Sequence, residues 1–208
     1  AATKANADTI NAYTTGQVTL TSVSDTVANI TLIDGLTTSE VTMAGATVSV
    51  SDAASLANAN DINGFTTGTV TLTSASDTVA NLATLAAINN SEVTIAGAAI
   101  SVSDAATKAN ADTINAYTTG QVTLTSVSDT VSNITAIDAL TTSEVTMAAA
   151  TVTVTDAATL ANANAINGFT TGQVTLNSVS DTVSNIGSID GLTTSEVTMA
   201  AAAVNVTD

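Results

Sequence analysis

Apolar and polar residues alternate strictly over Val18-Thr19-Leu20-Thr21-Ser22-Val23-Ser24-Asp25. Alternation with β-branched residues predicts a half-buried strand. A second run has the same alternation in two pieces, Val41-Thr42-Met43 and Thr47-Val48-Ser49-Val50-Ser51-Asp52, parted by Ala44-Gly45-Ala46. The small-residue insert predicts a bulge or corner. After each aspartate the period changes. Val27, Ile30, Ile33 and Leu36 recur every three residues, as do Leu56, Ala59, Ile62 and Phe65. That spacing predicts a short helical turn, α or 3₁₀, with one face buried. Asp25 stands where an N-cap belongs, with Thr26 and Asn29 close by. Ile33-Asp34-Gly35-Leu36 and Ile62-Asn63-Gly64-Phe65 predict left-handed glycine C-caps with a Schellman-like apolar contact, although Ala12, Ala87, Ala116 and Ala139 fill the glycine slot elsewhere.

This pattern is copied. Segments 1–52, 53–104, 105–156 and 157–208 align without a gap and account for all 208 residues. The first and third copies differ at only six positions, and the second and fourth share Leu56/Leu160 and Gly64/Gly168, so a 104-residue period overlies the 52-residue one. Each copy holds two related halves of 27 and 25 residues. A half-repeat of strand, helical turn and Thr-rich loop cannot bury its apolar face alone, but stacked on its neighbours it can. The predicted fold is one continuous β-solenoid, parallel β-helix-like, of about eight coils of roughly 26 residues. At ~4.8 Å per coil that is a rod about 38 Å long.

Stacking would turn each recurring residue into a column. Asp25, Asp52, Asp77, Asp104, Asp129, Asp156, Asp181 and Asp208 fall at one phase. Unit charges ~4.8 Å apart in water repel by about 0.9 kcal/mol per pair, so something must offset them. Helix capping is one answer. A calcium column is the other, though it needs roughly six to eight oxygen ligands per ion. Thr19, Thr42, Thr71, Thr94, Thr123, Thr146, Thr175 and Thr198 form a surface threonine array of the type ice-binding solenoids use. Its second rank is incomplete: Thr21, Thr73, Thr125 and Asn177 alternate with Ala44, Ala96, Ala148 and Ala200. Threonine is also what an exposed strand face favours. Glu40, Glu92, Glu144 and Glu196 read as solvated edge charges, and Asn6, Asn58, Asn110 and Asn162 as an amide ladder. Four glycosylation sequons, at Asn29, Asn89, Asn133 and Asn205, are what chance supplies in a chain so rich in Asn and Thr.

Composition narrows the function. The chain has no Cys, His, Pro, Trp or Arg; Lys4 and Lys108 face 14 Asp and four Glu, for a net charge of -16. Nucleic acid is not an expected partner, because phosphates need Lys and Arg. The longest apolar run, Met199 to Val204, is far short of the ~20 residues of a membrane helix, so no insertion is expected. No catalytic residues and no cofactor are expected: His and Cys are missing, and identical repeated carboxylates are not a paired acid and base.

Ser24-Asp25-Thr26-Val27-Ala28-Asn29-Ile30 and Ser76-Asp77-Thr78-Val79-Ala80-Asn81-Leu82 carry the phrase Ser-Asp-Thr-x-Ala-Asn-(Ile/Leu). It resembles the repeat regions of giant bacterial surface proteins, adhesin-, S-layer- and hemolysin-like chains of cyanobacteria and other aquatic bacteria. The resemblance implies an extracellular or cell-surface structural protein, a layer, fibre or adhesin stalk. The Gly-Gly-x-Gly-x-Asp calcium nonapeptide and a ligand-binding head are missing from it. With no polar capping repeat at either end, the chain is expected to partner itself, head to tail or through continued repeats. Ice binding and a calcium-dependent stalk are the alternatives.

Overall fold

The computed structural model describes residues 1–36, 40–88, 92–140, 144–192 and 196–208. The sequon at Asn89 lies outside them. The chain divides into two compact units, 1–100 with 117–120, and 101–116 with 121–208.

In the first unit α1 (Lys4–Asn11), α2 (Val27–Asp34), α3 (Leu56–Phe65) and α4 (Val79–Ala87) alternate with strands. These are β1 (Val18–Thr19), β2 (Ser22–Asp25), β3 (Val41–Thr42), β4 (Thr47–Ala54), β5 (Val70–Asp77) and β6 (Val93–Thr94). Every pairing here is parallel: β1 with β3, β2 with β4, β4 with β5, β5 with β6. β7 (Ala99–Ala106) spans the division. The second unit repeats the scheme with α5 (Lys108–Asn115), β8 (Val122–Asp129), α6 (Val131–Asp138), β9 (Val145–Thr146), β10 (Thr151–Ala158), α7 (Leu160–Phe169), β11 (Val174–Asp181), α8 (Val183–Asp190), β12 (Val197–Thr198) and β13 (Ala203–Val206). Its strands also pair in parallel. A repeated parallel β-structure alternating with helices is the fold. The inner strand positions, Val23, Val48, Val50, Val70 and Leu72, are buried with Ile30, Ile33, Ile62, Leu82 and Leu85 of the helices. Each such side chain contributes roughly 1.5–3 kcal/mol.

The helices are larger than the expected turn, α-helices of eight to ten residues among the described elements. Their start is one residue later than Asp25 suggested. The N-caps are Thr26, Thr78, Thr130 and Thr182 on one set of helices, with Thr3, Ser55, Thr107 and Thr159 on the other. Asn6, Asn58, Asn110 and Asn162 build no amide ladder. Each closes a capping box, its Oδ1 accepting the N–H of its own N-cap residue, as Asn58 does from Ser55 at 3.0 Å. The left-handed caps are not formed either. Gly35 ends α2 with φ -69 and ψ -10, Gly64 lies inside α3, and no described residue has positive φ. Leu36 N–H instead closes a tighter turn onto the Ile33 carbonyl at 3.1 Å, which any residue can make, so alanine serves equally at this slot.

Ala44-Gly45-Ala46 is a corner as expected: Ala46 N–H donates to the Met43 carbonyl at 2.9 Å, closing a turn between β3 and β4. Its consequence for register is large. Val48 pairs with Val23 on one side and with Val70 on the other, so successive strands slide along one another. Between Val50 and Ala53 β4 bulges, and Ser51 and Asp52 lie in that irregularity. Val154 and Ala157 of β10 bound the same shift around Asp156.

Candidate functional site

The slide redistributes the predicted columns. In the first unit the threonine file runs Ser24, Ser49, Thr71, Thr94 by strand pairing, while Thr19 pairs with Thr42 in a separate two-stranded sheet. In the second unit Ser128, Thr153, Thr175 and Thr198 form the matching file, and Thr123 pairs with Thr146. Thr19 and Thr71 share an outward orientation, yet they do not stand in one line. Of the second rank, the Thr73 and Thr125 hydroxyls donate to the Val50 and Val102 carbonyls at 2.8 and 2.7 Å.

The aspartates separate into two kinds. Asp25, Asp77, Asp129 and Asp181 end strands, and each joins two helices. Asp77 Oδ2 accepts the Leu56 N–H that begins α3, at 2.9 Å. Its Oδ1 accepts Thr78 N–H and the Asn81 amide beside α4, both at 2.8 Å. Asp25 does the same with Lys4, Thr26 and Asn29, Asp129 with Lys108, Thr130 and Asn133, and Asp181 with Leu160, Thr182 and Asn185. Burial alone would raise the carboxyls of Asp25, Asp77 and Asp129, but these donors together outweigh it and hold them below the usual value. At Asp181 the Leu160 N–H, the Asn185 amide and the Thr182 N–H lower it against a smaller burial effect.

The second kind lies at or beyond the bulge. Asp52 Oδ1 accepts Val27 N–H and Asp156 Oδ1 accepts Val131 N–H, both at 2.8 Å, and Asp208 accepts Val183 N–H at 3.1 Å. Asp104 stands at the matching place in β7. Asp25 faces Val50 across the pairing, not Asp52, so these charges do not stack rung upon rung. Asp25, Asp77, Asp129 and Asp181 are each met by three N–H donors, which is the environment of a capped helix end and the reverse of a cation cage. Among the described residues no group of three or more acidic side chains is placed to hold a metal ion.

One polar device gave no signal in the alternation. Thr66-Thr67-Gly68 presses onto the Ala44–Ala46 corner: Thr66 Oγ1 donates to the Ala46 carbonyl at 2.6 Å and Thr67 N–H to the Ala44 carbonyl at 2.8 Å. Thr118-Thr119-Gly120 does this on Ala96–Ala98, and Thr170-Thr171-Gly172 on Ala148–Ala150. A Cβ on Gly68 would lie 2.2 Å from the Ala46 oxygen, so glycine is required by the close approach. The recurrence of Thr-Thr-Gly every 52 residues was the available clue. The Glu backbones add another tie, the Glu40, Glu92, Glu144 and Glu196 carbonyls accepting the N–H of Val18, Val70, Val122 and Val174 at 2.6 to 2.7 Å. The sequon residues are engaged as well: Asn29 and Asn133 bind aspartate, and Asn205 donates to Ser180 Oγ at 2.9 Å.

No family model matches the chain, and neither a curated protein nor a solved structure matches it.

Proposed function

We propose that the chain is a structural extracellular repeat protein, a β-solenoid of about eight coils that builds a cell-surface layer, fibre or adhesin stalk by adding end to end. The observation that carries this reading is where the polar groups go. Aspartates, asparagines, Thr-Thr-Gly segments and glutamate carbonyls are spent tying one strand-helix unit to the next. Among the described residues no buried side-chain polar atom lacks a partner. A catalytic or ligand site needs groups held back from such ties; a structural stack needs the reverse. The net charge of -16 keeps sides apart while leaving axial contacts open. The surface-protein resemblance supports an extracellular location. Oriented specimens should give a ~4.8 Å reflection along the long axis. Electron microscopy should show rods that lengthen with concentration; a dispersed monomer at high concentration would remove the end-to-end part.

A second reading has one observation behind it. The hydroxyl file Ser24, Ser49, Thr71 and Thr94 is continuous by pairing, as an ice-binding surface requires. Thermal hysteresis decides it: a freezing-point gap that disappears in Thr71→Tyr establishes ice binding, and no gap removes it.

A further inference from the structure

Beside the C-terminal end of α3 lies a polar hollow of about 190 Å³, lined by Asn63, Thr66, Thr67, Gly68 and Glu92. Asn63 comes from the last turn of α3, the Thr-Thr-Gly segment from its seat on the Ala44–Ala46 corner, and Glu92 from the position before β6. The fold accounts for part of this lining. Thr66 and Gly68 are fixed by the corner, and Glu92 ties to Val70 through its backbone carbonyl, a role any side chain would allow. The Asn63 amide is different. It is half-buried and makes no hydrogen bond among the described residues, whereas Asn58 on the same helix and Asn81 on α4 are both engaged. Asn167, Thr170, Thr171, Gly172 and Glu196 repeat the set in the fourth copy, although the exposed Asp61 of α3 is replaced there by Ala165.

The lining suits a positively charged donor. Glu92 supplies a carboxylate, whose roughly four lone-pair sites let it accept from a ligand whatever else it accepts. Asn63 Oδ1 is a second acceptor. Thr67 Oγ1, which donates to the Ala44 carbonyl at 3.0 Å, keeps its lone pairs and is a third. The C-terminal end of α3 adds negative partial charge at the same place. A primary ammonium has three N–H donors and no acceptor, so its needs match these groups one for one. The chain's own lysines do not meet them. Lys4 and Lys108 are each held at 2.6 Å by the aspartate one turn on, Asp8 and Asp112.

We propose that this hollow binds a primary alkylammonium group, carried by a lysine side chain of a partner or by a free diamine. Glu92 is the counter-charge, and Asn63 and Thr67 are the neutral acceptors. Such a site stands or falls independently of end-to-end growth.

Side-chain amide signals of the full chain, followed by NMR during titration with butylammonium, provide the test, with Asn63→Ala and Asn167→Ala to assign them. Tetramethylammonium, of equal charge but without N–H groups, is the control. The Asn63 signal should shift saturably with butylammonium and not with tetramethylammonium. Glu92→Gln keeps the backbone tie to Val70 and should weaken binding at Asn63 about tenfold or more, leaving the Asn167 signal as in the wild type. Shifts that tetramethylammonium reproduces would reduce the effect to general attraction by the acidic surface and overturn the site. Saturation at an unchanged midpoint in Glu92→Gln would overturn it as well. A Gly-Lys-Gly peptide blocked at both ends and putrescine, titrated in parallel, separate the two sources: tighter binding of the peptide assigns the hollow to a partner's lysine, and tighter binding of putrescine to a free diamine.

Discussion

The two halves of a repeat end in similar phrases, Ser74-Ala75-Ser76-Asp77 and Ser49-Val50-Ser51-Asp52, yet they do different work. The unbroken half, β5, delivers its aspartate to the junction of two helices, where three donors meet it. The interrupted half spends three residues on the Ala44–Ala46 corner and then bulges, so its aspartate reaches a single N–H. In exchange, the corner gives a flat backbone surface on which the following Thr66-Thr67-Gly68 lies down. One half fastens by charge, the other by close backbone approach. Alternation alone does not distinguish them, because both put Val inward and Ser or Thr outward.

The joint of the interrupted half should be the more fragile. Gly68→Ala or Gly172→Ala places a Cβ 2.2 Å from a carbonyl oxygen that belongs to backbone and cannot rotate away. Overpacking against backbone costs about 3 kcal/mol or more, lowering Tm by roughly 6–12 °C in a chain of this size. Gly16→Ala, in the same local phrase, should leave Tm unchanged when measured on dispersed chains. Equal losses at Gly16 and Gly68 would show that the approach to the corner is not what the glycine serves.

Next in size is the contrast between aspartates. Asp129→Ala leaves Lys108 N–H, Thr130 N–H and the Asn133 amide without their acceptor at a buried site, a loss of about 2–4 kcal/mol. Asp156→Ala frees one exposed N–H, that of Val131, and should cost at most about 1 kcal/mol. Denaturant midpoints for the two variants measure the gap directly. If the order reverses, the bulged aspartates carry the stack.

Acid should expose the same difference. The carboxyls of Asp25, Asp77, Asp129 and Asp181 lie lower in the folded chain than in the unfolded one. The unfolded state therefore takes up protons first as pH falls, and stability drops with it. Their contribution is complete above the ordinary carboxylate pKa of about 4 and is lost as pH passes down through the lowered values. Tm should be level from about pH 7 to 5 and decline below about 4. Asp77→Asn combined with Asp129→Asn should reduce that decline, and an unchanged slope would assign it to other groups.

Much of this was legible because periodicity reports local structure faithfully. Val70-Thr71-Leu72-Thr73 reads as a strand and is one, and Ile30 and Ile33 mark the buried face of a helix. What pattern could not supply is the phase between rungs. Asp25 and Asp52 fall alike in sequence, but the corner inserts residues that the pairing must absorb, and Asp25 ends opposite Val50. The threonine file is displaced for the same reason, with Ser49 between Ser24 and Thr71. Thr66 was hidden because it looks like a loop threonine, although it is buried with its hydroxyl on the Ala46 carbonyl. Such contacts join residues about 20 positions apart, beyond any window that reads alternation.

The smallest expected effect is that of chelation. A calcium ion requires roughly six to eight oxygen ligands converging on it. Around Asp77 the converging groups are the Leu56 N–H, the Thr78 N–H and the Asn81 amide, all donors, all within 2.9 Å. A cation arriving there would have to displace them and would then face the positive end of α3 and of α4, whose field favours the carboxylate and opposes the ion. Asp52 is half-buried and Asp156 exposed, and both are sited in bulges with one N–H apiece. On these grounds folding is expected not to depend on calcium at either kind of aspartate. EDTA should therefore shift Tm by about a degree or less, and added calcium should restore nothing beyond general screening of the acidic surface, an effect sodium reproduces at matched ionic strength. A fall of tens of degrees on chelation, reversed by calcium and not by sodium, would mean that the donors around Asp77 are displaced by metal in solution. The distinction between the two halves would then describe only the metal-free form.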